Sequence, residues 1–314
     1  MNSRRDFIKQ SSLAGTAGLL QASSLFASQA SAQTSPAATH WADGSQLVIS
    51  ISMQFEAGGQ PDNPESPFPQ NMQPGFKDLP AATWYQYGYK EGIPRMLDLW
   101  DEHKIKVTSH MVGSAVLKNP ALAKEIVQRG HEAAAHGMNW SSQYNLPYAQ
   151  EKQFIKEGVD AVLQITGQTP IGYNANWLRR GENTLTILQE LGFLYHIDDL
   201  SRDEPFITQV NSKDFVVVPY TLRCNDIVLM EGKNFSADQF LGQLKLEFTQ
   251  LYAESARKRR MMSVSFHDRI GGSPQMVQAA REFITFATRQ KGVVFKRKDE
   301  IARMALADKT TLRD

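Results

Sequence analysis

The chain is short of the features that commit a sequence to several function classes. Its 314 residues contain one cysteine, Cys224. A lone cysteine closes no internal disulfide, so a stapled scaffold is excluded and a small buried side chain is its expected role. An excess of one charge is lacking too: 34 Lys and Arg against 33 Asp and Glu leave +1. Such a balance gives no electrostatic footprint for nucleic acid or an anionic membrane surface. Past the N-terminal segment no apolar run is long enough to span a bilayer, and no internal repeat is present. The one sharp charge run, Arg257-Lys258-Arg259-Arg260, follows a long helical pattern. Cations suit that end of the macrodipole, and a solvated face is expected there.

What is present begins at the N-terminus. Ser3-Arg4-Arg5-Asp6-Phe7-Ile8-Lys9 precedes an uncharged apolar stretch from Leu13 to Ala27 and then Ala30-Ser31-Ala32. Twin arginines, an apolar core and a small-residue cleavage site in that order are the grammar of a twin-arginine export signal. Residues 1–32 are expected to be a signal peptide cleaved after Ala32. The mature chain from Gln33 is expected in the periplasm, with residues 33–314 as one catalytic domain and no transmembrane span after cleavage.

From Leu47 onward, β-rich runs alternate with helical patterns. Strands are expected over 47–51, 105–110, 131–135, 193–197, 215–218, 261–266 and 293–295. Helices are expected over 93–103, 120–128, 148–165, 183–191, 236–257, 274–289 and 298–306, with Ser236 as an N-cap and Gly167 and Gly192 as stops. This alternation predicts an α/β fold with a mainly parallel sheet, and about seven β/α units in one domain predict a distorted (β/α) barrel of seven strands. Residues 57–90 break the rhythm: Gly, Pro and Asn first, then Trp84, Tyr85, Tyr87 and Tyr89. A long irregular loop after the first strand sits where a barrel places rim elements.

Three titratable residues fall at predicted strand ends. Glu56 closes Ser52-Met53-Gln54-Phe55 and precedes Ala57-Gly58-Gly59. His267 closes the run from Met261 to Phe266 and precedes a Gly-rich turn. The C-terminal ends of barrel strands are where such folds carry their chemistry, and a carboxylate with an imidazole is an acid–base pair. His131 and His136, in Gly130-His131-Glu132-Ala133-Ala134-Ala135-His136-Gly137-Met138-Asn139-Trp140, are five apart. On a strand that spacing puts them on opposite faces.

These segments resemble the polysaccharide deacetylase superfamily, also known as carbohydrate esterase family four or the NodB type. Its first motif, Thr-Phe-Asp-Asp-Gly, corresponds to the segment around Glu56, and its His-x-x-x-His corresponds to His136 through Trp140. The resemblance is nearer to the branch of cofactor-independent allantoinases and related cyclic-amide hydrolases. That branch has Asn-Tyr-Glu-Glu-Gly-Gly at Gln54-Phe55-Glu56-Ala57-Gly58-Gly59 and His-Gly-x-x-Trp at His136–Trp140. Further matches are Gly192–Tyr195, the acidic stretch Asp198 to Asp203, Val218–Thr221 with Asn225-Asp226, and Met261–Val264 before His267.

The resemblance implies a NodB-type barrel and a hydrolase of non-peptide C–N bonds. It makes Glu56 the general base and His267 the acid that protonates the leaving nitrogen, with His131 structural. It puts His136, Trp140, Trp177, Asn225 and Asp226 around the substrate. Two of the three positions that hold the metal in metal-dependent members are Ala57 and Trp140 here. One imidazole does not hold a catalytic ion, so no metal and no other cofactor is expected, and a strained cyclic amide or imide is the expected substrate. The sequence departs from the allantoinase pattern at Gly172–Arg180, where Arg179 or Arg180 stands in for the branch's arginine or Trp177 offers a stacking face. Two competing readings remain. One is a zinc-dependent N-deacetylase of peptidoglycan or another N-acetylated glycan, with the aromatics 84–89 as a sugar platform. The other is an inactive deacetylase-like binding protein.

Overall fold

Ten strands and the helices between them are built from residues 40–62, 66–68, 70 and 72–314, which the computed structural model describes. The export motif and its cleavage site lie outside these residues. In chain order the strands are β1 (Leu47–Phe55), β2 (Thr108–Met111), β3 (Glu132–Ala135), β4 (Gly172–Tyr173), β5 (Tyr195–His196), β6 (Phe206–Val210), β7 (Lys213–Val217), β8 (Arg260–His267), β9 (Val293–Phe295) and β10 (Leu312–Arg313). They form one sheet in the order β10-β6-β7-β5-β4-β3-β2-β1-β8, with β9 paired to β1. The seven from β8 through β1, β2, β3, β4 and β5 to β7 run parallel and make the expected barrel wall.

Three strands are additional to the seven. β6 and β7 form an antiparallel hairpin whose two turn residues, Asn211 and Ser212, have φ of 50° and 60°. A two-residue hairpin loop needs positive φ at both positions, and Asn-Ser announces it less clearly than Asn-Gly. β10 and β9 are short additions, to β6 and β1 respectively. The barrel is not laddered all the way round. Between β7 and β8 it is closed by a single bridge, Asn225 to Ser265, and by hydrogen bonds such as Met261 N to Asp203 O at 2.7 Å.

Period-two alternation along β1 decides what lies inside. Ile49, Ile51, Met53 and Phe55 pack outward into the main core with Trp100, Phe240 and Phe266. Ser50, Ser52, Gln54 and Glu56 therefore face the barrel interior, and all four are buried. At the lower end of that interior Lys298 donates to Ser50 Oγ at 2.9 Å. Glu132, nearby, accepts from Thr108 Oγ1 at 2.6 Å and Tyr195 Oη at 2.8 Å. Burial pushes Lys298 down to about 7 and Glu132 up to about 7.

Ser236 caps its helix as expected: its Oγ accepts from Gln239 N, and Gln239 Oε1 accepts from Ser236 N. Two expectations are corrected. The segment 57–90 is not irregular throughout, because a helix forms over Leu79–Tyr87 and continues as a wide turn over Gly88–Gly92. The basic run is not wholly solvated: Arg259 and Arg260 are buried, Arg259 against Asp308 at 2.7 Å and Arg260 against Glu254 at 2.6 Å. The helix stops at Glu254, so these arginines fold under the turn leading into β8.

Candidate active site

Parallel strands deliver their C-terminal ends to one face, and four of those ends build the site. Glu56 follows β1, His136 follows β3, Asn174 follows β4 and His267 ends β8. Glu56 Oε1 lies 3.4 Å from His136 Nε2 and 3.7 Å from His267 Nε2. His136 Nδ1 donates to the Asn174 carbonyl at 2.7 Å, which fixes the ring with Nε2 toward Glu56. That carbonyl is held in turn: Asp198 accepts from Ala175 N at 3.0 Å and from Asn174 Nδ2 at 2.8 Å. Burial raises the Asp198 carboxyl to about 6 despite these bonds. His131 points elsewhere, accepting from Val107 N at 3.1 Å, in the structural role expected of it.

His267 is oriented by Asp226. One Asp226 oxygen accepts from His267 Nδ1 at 2.6 Å and the other from His267 N at 2.7 Å. Burial disfavours the imidazolium, but Asp226 and Glu56 outweigh it and raise the His267 pKa above its ordinary value. The opposite holds for Glu56. Burial alone would raise its carboxyl, yet His267, the His136 hydrogen bond and Arg269 together hold it far below the carboxylate range. Both shifts favour the charged forms, a carboxylate beside an imidazolium.

Arg269, two residues past His267, carries the other oxygen of Glu56: Nη1 donates to Glu56 Oε2 at 3.0 Å. Its guanidinium carbon lies 4.9 Å from the ring centroids of Trp84 and Tyr85 and 4.7 Å from that of Trp140. Burial works against the charge, and Glu56 with Asp268 overcomes it. Asp268 is itself fully buried and accepts from the backbone N–H groups of Glu56 and Ala57 at 2.9 and 2.7 Å. Gly88 passes so close that a Cβ there would come within 2.7 Å of the Asp268 carboxyl and 2.9 Å of Ala57 Cβ. Only glycine fits.

Above these residues opens a cavity of about 150 Å³. Glu56, His136, His267, Trp140, Trp177 and Asn225 all line it, so the structure brings six of the seven sequence-derived site residues together. Asp226 does not line it. Both its oxygens accept from His267, one of them also from Ile227 N, and its side chain is fully buried, so it orients the His267 ring and stays out of the cavity. Arg179 and Arg180 are exposed and outside the lining, and the arginine that reaches Glu56 is Arg269. Of the aromatics 84–89, Trp84 and Tyr85 pack onto Arg269, and Tyr87 accepts a hydrogen bond from Arg95 at 2.8 Å. Gln54, Asn174 and Tyr220, also in the lining, were not singled out from sequence. Gln54 and Asn174 carry a readable signal, inward register beside Glu56 and a strand end respectively.

Two of the three metal-ligand positions named above are changed. Positions 57 and 140 offer a methyl group and an indole, and the place against Trp140 is filled by the Arg269 cation. Among the described residues no three His, Cys, Asp or Glu side chains are arranged to hold a metal.

Comparison with known proteins agrees with this architecture. The polysaccharide deacetylase family model matches residues 77–196. A peptidoglycan deacetylase of Helicobacter pylori is 24% identical over 243 residues, covering 67% of this chain and 82% of the relative. The crystal structure of Puue allantoinase superposes with a TM-score of 0.81 at 29% identity, covering 88% of this chain and 96% of that one. That of a "probable polysaccharide deacetylase" from Pseudomonas aeruginosa PAO1 superposes with a TM-score of 0.80 at 29% identity, covering 87% and 95%.

Proposed function

The chain belongs to the polysaccharide deacetylase superfamily, and from that premise we propose that it hydrolyses the ring of a small cyclic amide or imide without a metal. The observation that supports this most is the arrangement around one oxygen. Glu56 Oε1 faces the Nε2 atoms of two imidazoles at 3.4 and 3.7 Å, while Glu56 Oε2 is held by an internal guanidinium. A water on Glu56 Oε1 is deprotonated by that carboxylate as its oxygen adds to the ring carbonyl. The C–N bond then breaks, and the nitrogen takes the Nε2 proton of His267. The product is the substrate plus one water. In this reading the carboxamides of Gln54 and Asn225, which line the same cavity, supply hydrogen bonds to the developing oxyanion.

In this reading water is activated by a carboxylate alone. A ring carbonyl that is strained, or flanked by a second acyl group, accepts a poorly activated water more readily than an acetamide does. The cavity of about 150 Å³ also matches a ring, since a void of roughly this size holds one benzene. The relative described as an allantoinase points to the same chemistry. Export by the twin-arginine route to the periplasm is part of the proposal, carried by the N-terminal motif alone.

The test is mass-spectrometric product analysis on hydantoins, cyclic imides and N-acetylated sugar oligomers, with and without chelator. Gain of one water on a ring, indifferent to chelator and lost in Glu56→Gln, is expected. Loss of acetyl from a sugar, stopped by chelator, would replace this reading with the metal-dependent one.

A further inference from the structure

The cavity has two unlike halves. The half contributed by strand ends is polar and holds the reacting groups Glu56, His136 and His267. The other half is contributed by two loops and presents Trp177 and Leu178 from one, and Leu222, Ile227 and Val228 from the other. Those five residues offer no charged side chain to a ligand.

The charges beneath the site are already committed. Arg269 is held by Glu56 and Asp268 and is screened from the cavity by Trp140. Asp226 is held by His267, and Asp268 by backbone N–H groups. Among the described residues no arginine or lysine lines the cavity. A carboxylate or ammonium carried against the apolar wall would lose water and meet no opposite charge there, which is expensive.

The backbone of the apolar wall is itself unusual. Trp177 and Leu178 are consecutive residues with φ of 54° and 60°, a region that bulky L-residues avoid. The loop is pinned in this shape by Asn176, whose Nδ2 donates to the carbonyls of Asn139 and Ser141 at 3.1 and 2.9 Å. Strain of this kind persists where the surroundings over-determine it, and such sites are commonly functional. Here its result is that an indole and an isobutyl group face the cavity from a stretch where Asn or Gly would sit more comfortably.

We propose that the substrate is an uncharged ring bearing an apolar substituent, with the ring against Glu56 and His267 and the substituent against Trp177, Leu178, Leu222 and Val228. This rests on the ring-opening reading for its reaction, but not for its binding geometry. The aliphatic side chains of that wall offer a ureido group, which brings several hydrogen-bonding atoms, no polar partner of their own.

The experiment uses four hydantoins differing only at carbon 5: unsubstituted, isobutyl, ureido and carboxymethyl. Turnover is measured with the wild-type protein and equilibrium binding by calorimetry with Glu56→Gln. The expected order in kcat/KM and in affinity is isobutyl first and carboxymethyl last, with steps on the order of tenfold. Leu178→Asn keeps a residue that tolerates positive φ and removes the apolar face, and the isobutyl-to-unsubstituted ratio should fall about tenfold. Val228→Thr keeps the shape and should lower the same ratio. If rings open but the acidic or ureido ring is used as well as the isobutyl one, this inference is overturned while the ring-opening reading stands. If no ring opens yet the isobutyl ring still binds selectively, the reaction is misassigned and the apolar subsite stands. Absence of selectivity in binding overturns the subsite whatever the turnover.

Discussion

Arg269 and Glu56 form a buried ion pair in which the arginine takes only one carboxylate oxygen. Nη1 meets Oε2 at 3.0 Å and leaves Oε1 to the two imidazoles. Three aromatic rings hold the guanidinium in place. The carboxylate is thereby oriented and kept ionised by a cation that the chain supplies itself.

Removing that cation should move the acid side of the pH profile. Glu56 is held low partly by Arg269, so in Arg269→Met its pKa rises and the acid limb of kcat/KM shifts to higher pH. Because a partner of a buried pair is lost, stability should also fall by about 3–5 kcal/mol. Arg269→Lys, which keeps the charge but not the flat stacking face, should restore the pH profile more fully than the stability. A limb that does not move in Arg269→Met, in a variant shown to be folded, would mean that Arg269 only packs.

Asp226→Asn tests the other limb. Asp226 raises the pKa of His267, so its neutralisation lowers that value and brings the alkaline limb to lower pH. The loss in rate should be about 10²–10⁴-fold, the range for a displaced acid. The same group contributes to folding stability. That contribution is complete below the ordinary value of 6.5 and is lost as pH rises through the higher folded value. NMR titration of the imidazole in both proteins checks the direction.

Ala57→Asp should not create a metal enzyme. The new carboxylate would lie against Gly88 and beside Asp268, with Arg269 already occupied. Loss of about 1–3 kcal/mol of stability, and no zinc retained after dialysis, are the expected outcomes. Stoichiometric zinc together with faster turnover would contradict the placement.

Lys298 makes a prediction about stability far from the chemistry. Its folded pKa is about 7 against an ordinary 10.5. Between these values the unfolded chain binds the extra proton, so this group makes stability rise with pH across that window. Glu132, raised from 4.5 to about 7, makes stability fall with pH across its own lower window. Urea unfolding of Lys298→Met/Glu132→Gln should therefore vary less from pH 5 to 10 than that of the wild type. It should be neutral or more stable by about 1–4 kcal/mol at pH 7.

Much of this site was legible before the structure because strand ends announce themselves. Glu56 and His267 each close an apolar run, and His136 sits five residues from a histidine on the opposite face. What stayed hidden depends on chain folding back in three dimensions. Arg269 lies in a turn with no periodicity, and nothing local says that it will reach under Trp140. The resemblance puts Asp226 with Asn225 around the substrate, yet its side chain reaches His267. The strand Gly172–Tyr173 is two residues long and is held by its neighbours, not by its own pattern. The aromatics 84–89 looked like a surface platform because a loop was expected there. The helix Leu79–Tyr87 instead turns Trp84 and Tyr85 onto the guanidinium.

The seam between β7 and β8 has a mechanical meaning. The ring narrows to a single residue pair at two joints, Ala135 to Tyr173 and Asn225 to Ser265, and at the second the chain has already left β7 when it makes the pair, like the clasp of a bracelet. The next residue along is Asp226, whose grip sets the tilt of the His267 ring. Leu222 and Val228 flank that clasp in the chain and line the cavity, so the wall that meets a guest and the carboxylate that orients His267 are parts of one short segment.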